Sequence, residues 1–186
     1  MQSRSLQWEI LDKRYVYKAP PWIEVSVQQV RLPDGQIIDD YHQIQLPEYV
    51  VVFAQTSAGD VIIERAYKHG AGKVCLSMPA GLIEAGETPL ETAQRELLEE
   101  TGHVADEWRS LGSFVQHGNY GCGKAHLFAA KSARRVAQPD SGDLGETEIL
   151  LLKPEEIVNA FKTDQVALLG IATAFALATN PLFGCE

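Results

Sequence analysis

Residues 78–103, MPAGLIEAGETPLETAQRELLEETGH, predict a loop, a helix and a second loop. Thr88 is a good helix N-cap, Pro89 suits the first turn, and Glu91 completes a Thr-x-x-Glu capping box. Gly102 stands where a left-handed C-terminal cap is expected. Between the caps, an apolar stripe recurs at helical spacing and consists of Leu90, Ala93 and Leu97.

The same helix carries three glutamates on a second face: Glu96, Glu99 and Glu100. Side chains at i, i+3 and i+4 are neighbours on a helix, so these like charges repel one another. They also lie in the C-terminal half, where the helix dipole disfavours anions. A divalent cation would reverse this cost, because clustered carboxylates are hard oxygen ligands of the kind that Mg²⁺ takes. The alternative interpretation is a solvated acidic face on a surface helix.

The spacing of residues around this helix resembles the Nudix box, the signature of hydrolases that cleave nucleoside diphosphates linked to another moiety. The signature reads G-x5-E-x7-REUxEExGU, where U is a bulky aliphatic residue, and it is matched from Gly81 to Gly102. His103 stands in place of the last aliphatic residue, and Val104 follows it. The fixed glycine, glutamate and arginine positions outside the acidic cluster favour the metal site over the solvated face.

The resemblance implies a role for each residue of the box. The Mg²⁺ ligands would be the Ala80 carbonyl oxygen, Glu96, Glu99 and Glu100, and Mn²⁺ would be a substitute metal. Arg95 and Glu87 would tie the box loop to its helix. The metal would bridge the diphosphate, lower the pKa of a water that attacks one phosphorus in line, and offset charge on the phosphoryl oxygens.

A wider segment, over about residues 22–100, resembles the ADP-ribose pyrophosphatase branch of that family. It has the Pro-Ala-Gly-Leu-Ile-Glu entry to the box at residues 79–84, and a strand ending in an Arg-Gln-Tyr-Arg-His-like sequence at residues 65–69. The resemblance implies hydrolysis of a nucleoside diphosphate sugar, with ADP-ribose giving AMP and ribose 5-phosphate. It also implies substrate contacts from Arg65 and Lys68, and a homodimer whose N-terminal strands help two subunits to share the substrate site.

Three positions depart from that branch. Ser77 replaces a glutamate that often precedes the Pro-Ala-Gly sequence. Lys68 replaces the second arginine of the strand motif, and a lysine meets a phosphate without the bidentate fork. The loop glutamate that helps to activate the water is missing, since no Asp or Glu occurs over residues 108–139. The candidates for its role are Glu146 in the loop before the last strand, His117, and the box carboxylates themselves.

Three further side chains are candidates for substrate contacts. Trp22 follows two prolines and would stack on a base, or would pack within a hairpin, since tryptophan is mostly buried on average. Tyr120 lies in the glycine-rich loop HGNYGCG and would contact the base or the sugar, or would pack within the loop. Lys124 in the same loop would contact a phosphate, or would remain a solvated lysine.

The composition of the whole chain is that of a folded globular protein. Its 186 residues are 45% hydrophobic and 22% charged, which suffices for a buried core. The net charge of −9 argues against a nucleic-acid partner, whereas a small polyphosphate remains compatible because metal ions neutralise the site locally. Three cysteines without paired spacing favour reduced thiols and a cytoplasmic location. The N-terminus has no apolar signal core, and the most apolar run, residues 166–178, is shorter than the roughly 20 residues of a membrane span.

The order of predicted elements favours an α/β sandwich around a mixed β-sheet, which agrees with the Nudix resemblance. Residues 1–46 read as an N-terminal β-strand extension with a hairpin turn at residues 33–35, and residues 47–186 read as the Nudix domain. Beyond the box we expect a strand at residues 125–130 and a helix at residues 164–179. That helix is apolar on nearly every face, so it is either buried in the core or covered by another subunit.

A second class of function is also compatible with the sequence. The acid-free loop at residues 117–124 motivates a Nudix-fold nucleotide-binding or regulatory module with little activity. The intact carboxylate cluster argues against such a module, because the cluster costs stability without a metal. Dinucleoside polyphosphates are a further substrate class, since some Nudix enzymes of that specificity carry a tyrosine at a similar distance after the box to that of Tyr120.

Overall fold

The computed structural model describes residues 6–140, 142 and 145–183, and these residues form two compact units. The first unit comprises residues 6–48 together with Phe114–Lys124. The second unit comprises Tyr49–Ser113 together with the described residues from Ala125 onward. The first unit therefore includes a short segment that is distant in sequence from its strands.

Three antiparallel strands form the frame of the first unit: β1 (Glu9–Ala19), β2 (Ile23–Arg31) and β3 (Ile37–Gln45). The predicted hairpin turn between β2 and β3 is confirmed, because Leu32 N donates to the Gln36 carbonyl over 2.8 Å and Gly35 adopts a φ of 92°. β2 lies between the other two strands and pairs with both of them.

A mixed sheet centred on β4 (Tyr49–Thr56) forms the frame of the second unit, and most residues of β4 are buried. β4 pairs in parallel with β9 (Gly121–Arg135) from Ala125 onward, and antiparallel with β5 (Val61–Lys68). β5 also pairs antiparallel with β6 (Lys73–Ser77) and β10 (Glu148–Leu152). Two further strands, β7 (His103–Val104) and β8 (Glu107–His117), pair with β9.

Helices cover both faces of this mixed sheet: α1 (Pro89–Thr101), α2 (Pro154–Lys162) and α3 (Leu169–Thr179). One buried cluster joins α1 to the sheet and includes Ala93, Leu97, Val50, Val52 and Ile62. The other joins α2 and α3 to the sheet and includes Ile157, Ile171, Phe175, Val51 and Phe53. Since successive residues of a strand face opposite sides, β4 supplies both clusters. The predicted α/β sandwich around a mixed sheet is confirmed, although Leu90, predicted on the apolar stripe of α1, is 39% exposed.

The last helix begins later than predicted. Residues 164–168 run beside β6 instead, where Leu76 forms a parallel bridge with Val166 and donates its N–H to the Gln165 carbonyl over 2.8 Å. α3 buries Ile171, Ala174 and Phe175, so core burial accounts for one side of this apolar helix. None of the helices in the described part of the chain is long and apolar enough to cross a membrane.

β9 extends beyond both ends of the strand predicted at residues 125–130. Its start contains Gly121 and Gly123, whose φ angles of 82° and 78° lie in the left-handed region and explain why the sequence reads as a loop. Gly121 nevertheless pairs with Ile44 of β3 within the first unit. The far end of β9 pairs with β7, a partner that local sequence signals do not reveal.

Candidate active site

The helix α1 is fixed at both ends by the caps that its sequence predicts. Thr88 Oγ1 accepts from Glu91 N over 3.3 Å, and Glu91 Oε2 accepts from Thr88 N over 2.8 Å, so the capping box is complete. At the other end, Gly102 adopts a φ of 71° and its N–H closes the last turn. A Cβ at Gly102 would lie 2.2 Å from the Ala137 carbonyl oxygen, so glycine is required there.

The loop at residues 79–81 lies between β4 and α1. Its first and last carbonyl oxygens accept hydrogen bonds of 2.9 Å from the backbone of β4. Ala80 N donates to Glu100 Oε2 over 2.8 Å. Gly81 is required by a close approach, because a Cβ there would lie 1.9 Å from Glu96 Oε1. The loop therefore brings the Ala80 peptide beside two carboxylates of α1.

Arg95 connects the loop to the helix through a network of carboxylates. Its Nε and Nη2 donate to the two carboxylate oxygens of Glu87 over 2.8 and 3.0 Å. Its Nη1 donates to Glu96 over 2.7 Å and to Glu99 over 3.0 Å. The Arg95 guanidinium lowers the pKa of Glu87 to about 2, and the Glu87 carboxylate is the main reason why the pKa of Arg95 is raised. A planar guanidinium with five donors is suited to such a bidentate contact.

Two carboxylates of α1, those of Glu96 and Glu100, lie in surroundings that disfavour their charge. The Glu96 side chain is 12% exposed, and burial raises its pKa although Arg95 opposes the shift. Burial raises the pKa of Glu100 well above its usual range, and the charges of Glu64 and Glu96 add to the effect. Like charges repel strongly where water is excluded, so this site is costly for the protein without a compensating cation.

Glu64 on β5 is an acidic residue of this site that the sequence analysis missed. It is 2% exposed, and its charge is one of the causes that raise the pKa of Glu100. Its Oε2 also accepts from Ser77 Oγ over 3.3 Å. The sequence carried one signal, because Glu64 occupies the inward-facing position between Ile62 and Ala66 on a buried strand. Glutamate is almost never fully buried unless it is paired, so this position indicates a special environment.

The donor set fits a hard divalent cation. Glu96, Glu99, Glu100 and the neighbouring Ala80 peptide offer carboxylate and carbonyl oxygens, which Mg²⁺ takes alongside water. Among the residues that the structure describes, no group of three or more His, Cys, Asp or Glu side chains is arranged so that it could hold a metal ion by itself. A cation bound through one or two carboxylates and completed by water and substrate phosphate does not need such a cage.

Lys68 and Glu146 line one pocket, whereas Arg65 belongs to another surface. The pocket has a volume of about 370 Å³ and is formed by the end of β5 and the loop before β10, with His69 also in its lining. Arg65 pairs instead with Glu148 over 3.1 Å, and both side chains are more than half exposed. The predicted strand motif is thus divided between two faces of β5, as the alternation of a strand requires.

The other predicted substrate residues belong to the first unit. Trp22 is 64% exposed, so the interpretation that it packs within the hairpin is wrong. The ring of Tyr120 lies against that of His117, with a centroid distance of 4.7 Å, and Tyr120 remains 46% exposed. Lys124 Nζ lies 3.4 Å from a carboxylate oxygen of Glu48, so it is ion-paired rather than simply solvated.

Two family models match the chain. The model described as NUDIX domain matches residues 46–172. The model described as Nucleoside diphosphate sugar hydrolase N-terminal domain matches residues 8–44. The first match alone covers more than half of the chain and contains the loop, the capped helix and the acidic cluster of α1.

Similar proteins agree with these matches. The ADP-ribose pyrophosphatase of Bacillus subtilis (strain 168) is 26% identical over 175 residues, which cover 94% of this chain and 92% of that protein. The Methanol dehydrogenase activator of Bacillus methanolicus is 30% identical over 128 residues, which cover 69% of this chain and 68% of that protein. A solved structure described as an ADP compounds hydrolase shares the fold, with a TM-score of 0.78 at 22% identity and 97% coverage of both chains. The family match over residues 46–172 and the Arg95-linked box that it contains establish that this chain belongs to the Nudix family and is a Nudix hydrolase.

Proposed function

We propose that this Nudix hydrolase uses Mg²⁺ to hydrolyse the diphosphate linkage of a nucleoside diphosphate sugar, with ADP-ribose as the first substrate and AMP and ribose 5-phosphate as products. The observation that carries the proposal is the partly buried acidic cluster of α1 beside the Ala80 peptide. The relative named ADP-ribose pyrophosphatase, which matches 94% of this chain, supports the substrate class. The N-terminal match to a nucleoside diphosphate sugar hydrolase domain supports it from a separate segment.

The residues of α1 and its loop have distinct roles in this proposal. Glu96, Glu99, Glu100 and the Ala80 carbonyl oxygen would hold the cation. Mg²⁺, or Mn²⁺ in its place, supplies charge neutralisation at the phosphoryl oxygens and a lowered pKa for the attacking water. Arg95 fixes the orientation of two of the ligands through Nη1, and it is itself anchored by Glu87.

Side chains outside α1 are candidates for the contact with the diphosphate and for the general base. Lys68 offers a positive charge for a phosphate in the pocket that it shares with Glu146. Glu146 and His117 are the two side-chain candidates for the base, alongside the box carboxylates, and His117 Nδ1 accepts two backbone N–H groups at 3.3 Å that orient its ring. The remaining candidates for substrate contacts are Arg65, Trp22, Tyr120 and Lys124.

A substrate panel with AMP and phosphate detection tests the proposal. We expect release of AMP from ADP-ribose in the presence of Mg²⁺, and a fall in turnover of at least about 100-fold in Glu100→Gln, because the cation site loses a charged ligand. Glu155→Gln is the matched control, since Glu155 lies exposed on α2. Chelation of divalent cations should abolish the activity of the wild type and of the control alike.

The same panel separates the alternatives. Absence of turnover for every diphosphate would contradict the proposal. Tight binding of ADP-ribose in calorimetry without turnover would support a nucleotide-binding or regulatory module. The match to the relative named Methanol dehydrogenase activator favours such a module as the second candidate function. Faster hydrolysis of dinucleoside polyphosphates would move the substrate to that class.

The same proposal includes the division of the chain into two domains and its assembly into a homodimer. Residues 1–46 serve as an N-terminal extension to the Nudix domain of residues 47–186, and they mediate a homodimer. The two family models support the division, because one ends at residue 44 and the other begins at residue 46. Exposed apolar side chains of the first unit support the assembly: Trp8, Ile10, Tyr17 and Trp22.

A cytoplasmic location also remains part of the proposal. Cys75 and Cys122 are free thiols, and Cys75 is buried. Cys185 lies outside the described residues. Unpaired cysteines of this kind support a reducing compartment.

A further inference from the structure

The central strand of the first unit buries polar side chains where apolar ones are expected. On β2, Ser26 is 3% and Gln28 is 8% exposed, whereas Val25 and Val27, which alternate with them, are only partly buried. Since successive side chains of a strand point to opposite faces, the serine and the glutamine share one face and the two valines share the other. A strand usually buries its apolar face, so this inverted burial indicates that the polar face has a role beyond packing.

A pocket with a volume of about 260 Å³ is lined by both of these polar side chains. Tyr15 of β1 and Gln43 of β3 also line it, and both lie directly opposite Ser26 in the register of the sheet. Lys13 of β1 lies opposite Gln28 in the same way. The pocket is therefore built on the polar face of all three strands, within the first unit.

The two buried polar groups in this pocket lack protein partners. Within the described part of the chain, neither the Ser26 hydroxyl nor the Gln28 amide group hydrogen-bonds to another residue. Buried polar side chains in folded proteins are nearly always hydrogen-bonded, to protein or to ordered water. Two such groups that line one pocket indicate that a polar ligand or water supplies their hydrogen bonds.

The chemistry of the lining favours a neutral ligand that is rich in hydroxyl groups. Two lysines and two glutamates line the pocket and balance in charge, and Lys124 is ion-paired with Glu48 over 3.4 Å, which argues against a phosphate. The neutral polar side chains are one serine and three glutamines: Ser26, Gln28, Gln43 and Gln45. Hydroxyl and amide groups both donate and accept hydrogen bonds, as the hydroxyl groups of a sugar do.

The aromatic ring in the lining is less suited to a nucleobase. Lys18 Nζ lies 3.4 Å and Lys13 Nζ lies 4.6 Å from the centroid of the Tyr15 ring, so a stacked base would compete with these cations. The pocket is also smaller than the roughly 300–1,000 Å³ of sites that take drug-sized ligands. Its size and its hydrogen-bonding groups suit a single sugar ring.

We propose that this pocket of the first unit binds a monosaccharide through Ser26 and Gln28, either as a free sugar or as the sugar moiety of a larger compound. The amide of Gln28 offers one carbonyl oxygen and two N–H donors, so it can hold two neighbouring hydroxyl groups of one ring. The proposal goes beyond the proposed function, because it requires neither a divalent cation nor hydrolysis.

Saturation-transfer difference NMR on the full chain tests this proposal with D-glucose, D-mannose, D-ribose and ADP-ribose as separate probes. EDTA in every sample prevents metal-dependent hydrolysis of ADP-ribose. Saturation of the ring protons of a free monosaccharide would identify a free sugar as the ligand. Saturation of the terminal ribose of ADP-ribose, lost in Gln28→Leu while the adenine protons keep theirs, would identify the sugar moiety instead.

Two variants and a control assign the binding to the pocket. We expect Gln28→Leu and Ser26→Ala each to raise the dissociation constant of the sugar about 10-fold, because a buried hydrogen bond to the ligand is lost. His42→Gln is the matched control on the same sheet, since His42 lies opposite Val27 and thus on the other face, and it should bind the sugar as the wild type does.

Thermal melts of the same variants separate a ligand site from a structural one. Without sugar, we expect the Tm of Gln28→Leu to equal or exceed that of the wild type, because an apolar side chain replaces a buried amide without a protein partner. Absence of saturation transfer to every sugar proton in the wild type would overturn the proposal. Equal sugar affinity of the wild type, Gln28→Leu and Ser26→Ala would also overturn it, and a lower Tm of Gln28→Leu without sugar binding by the wild type would assign the pocket to structural water.

Discussion

Gly81 illustrates how the absence of a side chain shapes the site. Its backbone does not lie in the left-handed region, so the requirement for glycine comes from space alone: a Cβ would meet Glu96 Oε1 at 1.9 Å. The obstacle is the end of a flexible side chain, which can swing aside. We therefore expect Gly81→Ala to lower kcat/KM by about 100-fold through displacement of Glu96, while the free energy of unfolding changes by less than about 1 kcal/mol.

Steady-state kinetics with Mg²⁺ and urea denaturation check this prediction for Gly81. The control is Gly118→Ala, since Gly118 has nothing within 4 Å of its Cβ position and no positive φ. Wild-type kinetics in Gly81→Ala would show that Glu96 tolerates displacement. A loss of stability of several kcal/mol would show that the loop, and not the carboxylate, gives way.

His103 is the one residue of the box that departs from the signature, and its surroundings predict a pH-dependent stability. It is 6% exposed, and its Nδ1 lies 2.9 Å from the Thr101 carbonyl oxygen. Burial lowers the pKa of His103 below its ordinary value of 6.5. The unfolded chain then binds the proton more readily than the folded one. Protonation of His103 therefore does not lower the free energy of unfolding well above pH 6.5, and it lowers that free energy as the pH falls below 6.5.

We expect His103→Leu to remove this contribution, because leucine carries no titratable group. Urea denaturation at several pH values between about 7.5 and 5 should give a flatter profile for the variant than for the wild type. His42→Gln is the control, since His42 lies exposed on β3. Parallel profiles for the wild type and His103→Leu would contradict the prediction.

At the level of elements, α1 could be predicted because its signals are local. Thr88, Glu91 and Gly102 lie within the helix ends that they cap, and the structure has those caps. The start of α3 could not be predicted, because residues 166–168 continue the apolar run of the helix in sequence, whereas Val166 pairs with Leu76 of β6. Tertiary pairing overrides local propensity at such positions.

Part of the candidate site could likewise be predicted from local spacing in the sequence, whereas another part depends on long-range packing. Three acidic residues of the cluster share one helix, so their spacing in sequence predicts that they are neighbours. Glu64 lies on a strand, and its approach to Glu100 depends on how the sheet and α1 pack. Arg65 and Lys68 likewise lie on different faces of β5, because side chains alternate along a strand. The sequence motif alone did not show that the two side chains are separated in this way.

At the level of the whole molecule, the first unit carries exposed aromatic side chains that a monomer would leave in water. Tyr17 is 55% and Trp22 is 64% exposed. Contiguous exposed apolar surface indicates an interaction site. We expect a chain of 20.5 kDa to elute as a dimer of about twice that mass in size-exclusion chromatography with light scattering. The double variant Tyr17→Ser, Trp22→Ser should shift it toward the monomer.

The single variant Trp22→Ser distinguishes the two roles that remain for Trp22. If the ring forms part of the proposed dimer interface, Trp22→Ser weakens the dimer. Its KM for ADP-ribose then depends on protein concentration if, as the family resemblance implies, two subunits share the substrate site. If the ring stacks on the base instead, the dimer persists and KM rises at every protein concentration. Leu151→Ser removes an exposed apolar side chain of the second unit, 52% exposed, and should change neither quantity. A monomeric wild type would contradict the dimer outright.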